Sequence, residues 1–152
     1  MKIIARNRKA FHDYIVYDRL EVGVALRGDE VKSIRAGDVN LKGAFVVPHQ
    51  NQLYLINCHI SPYSHAFRKP RDEDRTRTRR LLAHKKEIRK LIGKVSMKGY
   101  TLIPLKLYIN DTGLVKIEVG LCKHKKAYQK KEELKERDIK RQAQREIKGT
   151  VS

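Results

Sequence analysis

Tryptophan is absent from this sequence of 152 residues, and cysteine occurs only twice. No apolar run approaches the roughly 18 residues a membrane-crossing helix needs, so a spanning segment is not expected. The opening stretch MKIIARNRKAFHDY has neither the apolar core nor the small-residue cleavage site of a secretory leader. Cys58 and Cys122 form no CxxC site; a bond between them is chemically open, but two unclustered thiols read as reduced residues of a cytoplasmic protein. There is no internal repeat and no Pro/Ser-rich linker, which leaves one domain with a real core. HExxH, GxSxG and phosphate-loop patterns are missing too. The histidines at 12, 49, 59, 65, 84 and 124 are scattered, with no pair at ligand spacing on one helix. An enzyme, a metal site and a cofactor are therefore not expected. Asp72, Glu73 and Asp74 in RDEDR would suit a metal-dependent nuclease. They read better as acids stabilised at the positive end of the helix after them. A ribonuclease using His12 with a lysine is open on residue types alone.

What the chain has in excess is positive charge. Lys and Arg number 35 against 17 Asp and Glu, a formal +18. Charge of this size speaks to partners rather than fold, and the usual two are nucleic acid and anionic membrane. Between Lys123 and Lys148 stand 11 basic and 5 acidic residues, so a third of the net charge sits in the last fifth of the chain. An interfacial helix wants Trp, Phe and Leu along one face, whereas this segment offers Leu134, Ile139 and Ile147. Nucleic acid fits better. Lysines supply sequence-independent attraction to phosphates, and aromatics such as Tyr14, Tyr17, Phe45, Tyr54, Tyr63 and Tyr128 are candidates to meet bases.

Short strands punctuated by turns fill the body. YIVYDRLEVGVALRG alternates at Val22, Val24 and Leu26. Gly28 and Gly37 bracket a short helix in GDEVKSIRAG. LKGAFVV and LYLIN read as strands joined by the loop PHQNQ. TLIPLKLYINDTGLVKIEVGLC is the clearest hairpin, with Ile103, Leu105, Leu107 and Ile109 on one face answered by Val115, Ile117, Val119 and Leu121. Pro104 lacks a donor and belongs at an edge or bulge. Leu81, Leu82, Ile88, Leu91 and Ile92 make the stripe of a longer helix that Gly93 would cap. The pattern predicts a mainly β fold with helices, a small antiparallel barrel of the OB type over residues 1–122; other small barrels fit as well. Residues 123–152 form a basic tail. Glu133–Arg137 and Glu136–Lys140 favour a helix, but Ile139, Ala143 and Ile147 give it only a thin apolar stripe. The tail is expected to be disordered when free and helical when an anionic partner orders it.

The order of the motifs NRKAFHDY, EVGVALRGDEVKSIRAGDVNL, NCHISPY, DRTRTRRLLAHKKEIRKLIGKV, KGYTLIPLKLY and KKAYQKK resembles the SsrA-binding protein family of bacterial trans-translation. The likeness spans the chain from about Asn7 to the end of the tail. It implies an OB-type barrel that binds the tRNA-like domain of transfer-messenger RNA and brings it to ribosomes stalled on messages lacking a stop codon. The tail would enter the empty messenger channel, contact small-subunit rRNA there and signal to the decoding centre. Alanyl-tRNA synthetase and elongation factor Tu would be partners only indirectly, through the RNA. Membrane is not among the implied partners.

Carried over by position, Asn7, Glu21, Leu82 and His84 match family positions at the RNA elbow. Lys32, Arg35 and Lys42 cluster around the short helix as contacts for the phosphate backbone. Lys123, Lys125, Lys126, Tyr128, Lys130 and Lys131 fall in the run implied to face the ribosome, with Tyr128 at a position that stacks on an rRNA base. Three residues depart from the family's run: His124 where glycine is usual, Gln129 where aspartate is usual, and Lys131 where arginine is usual. The same basic surface would also suit a structural ribosomal protein bound permanently to rRNA.

Overall fold

The three longest body strands, of 11, 10 and 10 residues, are long enough to be shared between neighbours, and that sharing closes the sheet. The computed structural model describes residues 1–62, 75–97, 99–125 and 130–151. In chain order the elements are β1 (Lys2–Arg6), α1 (Arg8–Asp13), β2 (Tyr14–Val24), α2 (Gly28–Arg35), β3 (Val39–Asn40), β4 (Phe45–His49) and β5 (Gln52–Ile56). Next come β6 (His59–Ile60), β7 (Arg79–Leu82), α3 (Lys85–Val95), β8 (Tyr100–Ile109), β9 (Val115–His124) and α4 (Lys130–Val151). Strands β8, β4, β5, β7, β2 and β9 neighbour one another in that order, and β9 returns to β8. Every pairing among the described residues is antiparallel. β1 takes the edge of β8 beside β4, from Lys2 opposite Ile109 to Arg6 opposite Lys106. The closed antiparallel barrel expected from the strand pattern is present. Closure removes most of the exposed edge that an open sheet would offer to other chains.

Alternation explains the barrel interior. Leu20 and Val22 on β2 point inward with Ile117, Val119 and Leu121 on β9, joined by Val46, Leu53, Leu55, Leu81 and Leu107. The hairpin does not keep one apolar face throughout, as its spacing suggested. Ile103 and Leu105 lie on the outer side of the sheet, whereas Leu107 lies inside. The register shifts between Pro104 and Lys106, and that bulge turns the strand over. Pro104 is at the bulge, where a residue without an N–H does least harm. The β4–β5 connection is tighter than PHQNQ implied: His49 pairs with Gln52, and Gln50 and Asn51 both adopt positive φ, as a two-residue hairpin turn demands. Gly37, at φ +84, ends α2 in the left-handed conformation expected of it.

The longer helix begins later than its stripe suggested. Residues 79–82 form β7, paired with β2 and β5, and their burial alternates with period two. Gly93 lies within α3, which is capped by Ser96. What the stripe hides is Arg79, which is wholly buried. Its Nε donates to Glu30 Oε2 at 2.7 Å and its Nη1 to the Cys58 carbonyl at 3.0 Å. Arg77 binds the other oxygen of Glu30, and the Arg27 N–H donates to it at 2.8 Å. Burial pushes the Glu30 carboxyl up. The bonds from Arg77 and the Arg27 N–H, with the Arg79 charge, outweigh it and hold the carboxyl below its usual range. This cluster pins β7 to α2, and so sets where Leu81 and Leu82 fall in the sheet.

α4 packs on the outside of the barrel. Ala143 and Ile147 are buried, with Ile139 against them, on Phe45, Val47, Tyr54, Ile56, Ile103 and Leu105. The thin stripe is therefore covered. Ala10 of α1 borders the same outer cluster. β1 and α1 carry no strong sequence signal. Asn7 makes α1 possible, because its Oδ1 accepts the Ala10 N–H at 3.1 Å, a side-chain cap at the helix start.

Candidate nucleic-acid interface

Strand β2 sends Glu21 outward, opposite Glu118 on β9. Next to it, Gly23 pairs with Leu82, and a Cβ on Gly23 would sit 3.4 Å from that of Leu82. Leu81 is 1% exposed and Leu82 44%, so alternation along β7 assigns the first to the core and the second to the surface. His84 comes next as the N-cap residue of α3, and its side chain makes no capping bond. Glu21, Leu82 and His84 thus line one open cleft of about 550 Å³, with Leu20, Ala83, Glu87 and Lys116.

The Tyr108 hydroxyl donates to Glu21 Oε2. Burial, then the Glu21 bond, pushes that hydroxyl well above the ordinary tyrosine range. Tyr108 therefore stays protonated and holds the carboxylate in one orientation. Glu118 is neutralised separately by Arg19 Nη1 at 2.9 Å and Lys106 Nζ at 3.5 Å. The cleft mixes two acids with one lysine and a histidine, which is poor equipment for gripping phosphates. It suits hydrogen bonding to base edges or ribose, with Leu82 as an apolar contact. Phosphate-holding charge lies around it: Arg80 on β7 and Lys85, Lys86, Arg89 and Lys90 on α3 are exposed. Tyr108 closes the motif KGYTLIPLKLY without being marked there as a site residue, and Lys116 belongs to no motif. Their signal is cross-strand pairing within the hairpin, where they stand opposite each other.

The other residues singled out from the sequence are placed elsewhere. Asn7 is 5% exposed; besides capping α1, its Nδ2 donates to the Pro104 carbonyl at 3.0 Å and the Leu41 carbonyl at 3.4 Å. Lys32 and Arg35 lie one turn apart on α2, both exposed, and Lys42 is exposed after β3; none lines the cleft. Lys123 ends near the ring of Tyr100, its Nζ 4.4 Å from the centroid. Lys125 is tied to α1, its N–H donating to the Asp13 carbonyl at 3.0 Å and its Nζ to that of Phe11 at 3.1 Å. Lys126, Tyr128 and Gln129 lie outside the described residues, as do Tyr63, His65 and the acids 72–74. The side chains of Lys130 and Lys131, which open α4, are likewise outside the description. No helix among the described residues is long and apolar enough to cross a membrane.

The face that α4 presents to the barrel includes a residue that no motif marked. Glu136 accepts the Tyr14 hydroxyl at 2.6 Å, the Thr101 hydroxyl at 3.2 Å and Lys140 Nζ at 2.9 Å. His124 Nε2 lies 3.1 Å from the same carboxylate, and its ring packs on Tyr14 with centroids 4.3 Å apart. The sequence signal is spacing: Glu136, Ile139, Lys140, Ala143 and Ile147 fall on one helical face.

Comparison with known proteins places this architecture. The family model described as SmpB protein matches residues 4–149. An SsrA-binding protein of Sulfurihydrogenibium sp. is 46% identical over 150 residues, covering 99% of this chain and 97% of its own. Those of Bacillus cytotoxicus and Thermoanaerobacter pseudethanolicus are each 49% identical, covering 95% and 97% of this chain and 91% and 93% of theirs. Among solved structures, a chain described under "tmRNA-SmpB: a journey to the center of the bacterial ribosome" superposes with a TM-score of 0.68 at 47% identity. The match spans 83% of this chain and 87% of that one. A barrel of this order, an outward Glu21–Leu82–His84 cleft and a basic C-terminal helix thus come together in a chain that belongs to the SmpB family of SsrA-binding proteins.

Proposed function

We propose that this chain is an RNA-binding adaptor of trans-translation, not an enzyme. It binds the tRNA-like domain of transfer-messenger RNA and brings that RNA to stalled ribosomes in the cytoplasm. The observation that carries the reading is near full-length identity with SsrA-binding proteins, joined to the convergence of Glu21, Leu82 and His84 in one cleft. Glu21 accepts from a base amino group or a ribose 2′-hydroxyl, Leu82 packs on the exposed nucleoside, and His84 stacks or donates. Lys32, Arg35 and Lys42 hold phosphates from a neighbouring surface. Asn7 acts from beneath, by fixing α1 and the loop that carries Lys42. Residues 123–152 occupy the empty messenger channel, where Tyr128 and the lysines at 123, 125, 126, 130 and 131 meet small-subunit rRNA at the decoding centre. Alanyl-tRNA synthetase and elongation factor Tu are reached only through the RNA.

The test separates the two halves. Glu21→Gln is expected to weaken binding of the tRNA-like domain about tenfold or more, with the melting temperature nearly unchanged, because the loss is one charge-assisted contact. Truncation after Tyr128 is expected to leave that binding largely intact and to abolish peptidyl transfer to the RNA on stalled ribosomes. RNA affinity that vanished with the tail would overturn this division of labour.

A further inference from the structure

No described aromatic of those the sequence offers to bases lines the Glu21 cleft. Tyr17, 54% exposed, is the barest tyrosine among the described residues. The local backbone puts it there. Strand β2 shifts register against β9 between Val16 and Asp18, which leaves Tyr17 as the extra residue of a bulge, without a partner in the ladder. Val16 packs on the outer apolar cluster. Tyr17 instead meets Tyr100 edge to face, the ring centroids 5.7 Å apart and the planes at 75°. Tyr100 packs against the barrel interior, so Tyr17 rests on a fixed support. Beside the two rings, one row of residues crosses three strands. Ile15 on β2 stands opposite Lys123 on β9, and Lys123 stands opposite Tyr100 on β8. Ile15 is 46% exposed, and Lys123 Nζ lies 4.4 Å from the Tyr100 centroid.

We propose that Tyr17 is a stacking platform for one unpaired RNA base, with Lys123 as the cation for the phosphate beside that base. The site rests on the RNA-binding reading above and adds a contact to it. Tyr17 lies four residues before Glu21 on β2, roughly 13 Å at strand rise, and neither it nor Lys123 lines the cleft. Single exposed apolar residues are ordinary on a protein surface. Here an exposed ring is braced by a second ring, with an isoleucine and a lysine in the adjoining row. A base with its phosphate needs that pairing of ring and cation, whereas an apolar protein face would leave the lysine unanswered. The acid next to Tyr17 does not oppose the charge, because Lys94 Nζ donates to Asp18 Oδ2 at 2.7 Å. β9 ends at His124, so RNA that takes up the basic tail passes this end of the barrel. The base comes from the tRNA-shaped RNA or from the small ribosomal subunit, and the stacking chemistry is the same for both.

The chain has no tryptophan, so Tyr17→Trp sets a lone reporter on the platform. Its emission should fall by about half when tRNA-shaped RNA or small ribosomal subunits are titrated in, and the partner that quenches it is the source of the base. Towards that partner Tyr17→Phe should bind like the unaltered protein and Tyr17→Leu about tenfold more weakly, with melting temperatures nearly unchanged. The salt slope should be the same in Tyr17→Leu, since no phosphate contact is lost, and lower in magnitude by about 0.7–0.9 in Lys123→Gln. Emission indifferent to both partners, or Tyr17→Leu binding both as tightly as Tyr17→Phe, overturns the platform. If Glu21→Gln loses RNA affinity while every Tyr17 variant is neutral, the platform falls and the adaptor reading stands. Unaltered protein that ignores both partners overturns the adaptor reading itself.

Discussion

Leu81 and Leu82 are chemically the same residue, set one position apart and given opposite duties by strand alternation. Leu81→Ala should cost about 2–5 kcal/mol of stability, because it opens a cavity in the barrel interior. Leu82→Ala should leave the melting temperature nearly unchanged and weaken RNA binding. Paired melting curves and RNA titrations check the contrast. Arg79 is the harder residue to read, since in RTRTRR it looks like one more solvated charge. Its burial with Glu30 becomes visible only when α2 and β7 are brought together. Removing it, as in Arg79→Leu, should cost about 3–5 kcal/mol, the penalty for breaking a buried pair. The same cluster sets an acid limit. A carboxyl held below its unfolded value of 4.5 contributes stability that is complete above that pH and is lost as pH falls through the folded value. Glu30→Gln should therefore be less stable than the unaltered protein at pH 7, with the gap closing below about pH 4.5 in melting experiments.

Elements are legible where local spacing decides them and illegible where distant packing does. β2, α2 and the β8–β9 hairpin come from alternation and flanking glycines. β7 hides behind a helical pattern because Leu81, Leu82, Ile88 and Leu91 satisfy that spacing, and only pairing with β2 and β5 selects the strand. The turnover at Pro104 is of the same kind: proline marks the place, but not that Ile103 and Leu105 cross to the outer face. In α4 an apolar stripe of three residues looks too narrow to dock. The helix's own Glu136 anchors it, and beneath the stripe lies an apolar sheet face made by β4 and β5 and completed by Ile103 and Leu105 of β8. Truncation after Tyr128 should uncover that face. A measurable rise in binding of a hydrophobic dye is expected, with a fall in melting temperature that leaves the barrel folded. Unchanged dye binding would mean that α4 covers nothing.

Over the molecule as a whole, +18 sets how strongly binding depends on salt. Each phosphate neutralised adds roughly −0.7 to −0.9 to the slope of log affinity against log salt. Replacing Lys32, Arg35 and Lys42 by alanine should reduce the magnitude of that slope by about 2–3 if each holds one phosphate. Glu21→Gln should weaken binding with the slope nearly unchanged. The charge is plain in the sequence, as is the family; the cleft is not, because Tyr108 and Lys116 join Glu21 only through strand register. With α4 against its barrel, a chain of this length has a radius of gyration of about 15 Å. Swung outward, the same 22 residues become a rod about 33 Å long, more than twice that radius. A molecule held by its partner at Glu21 would then present, at arm's length, a probe able to feel whether a tunnel beyond is empty.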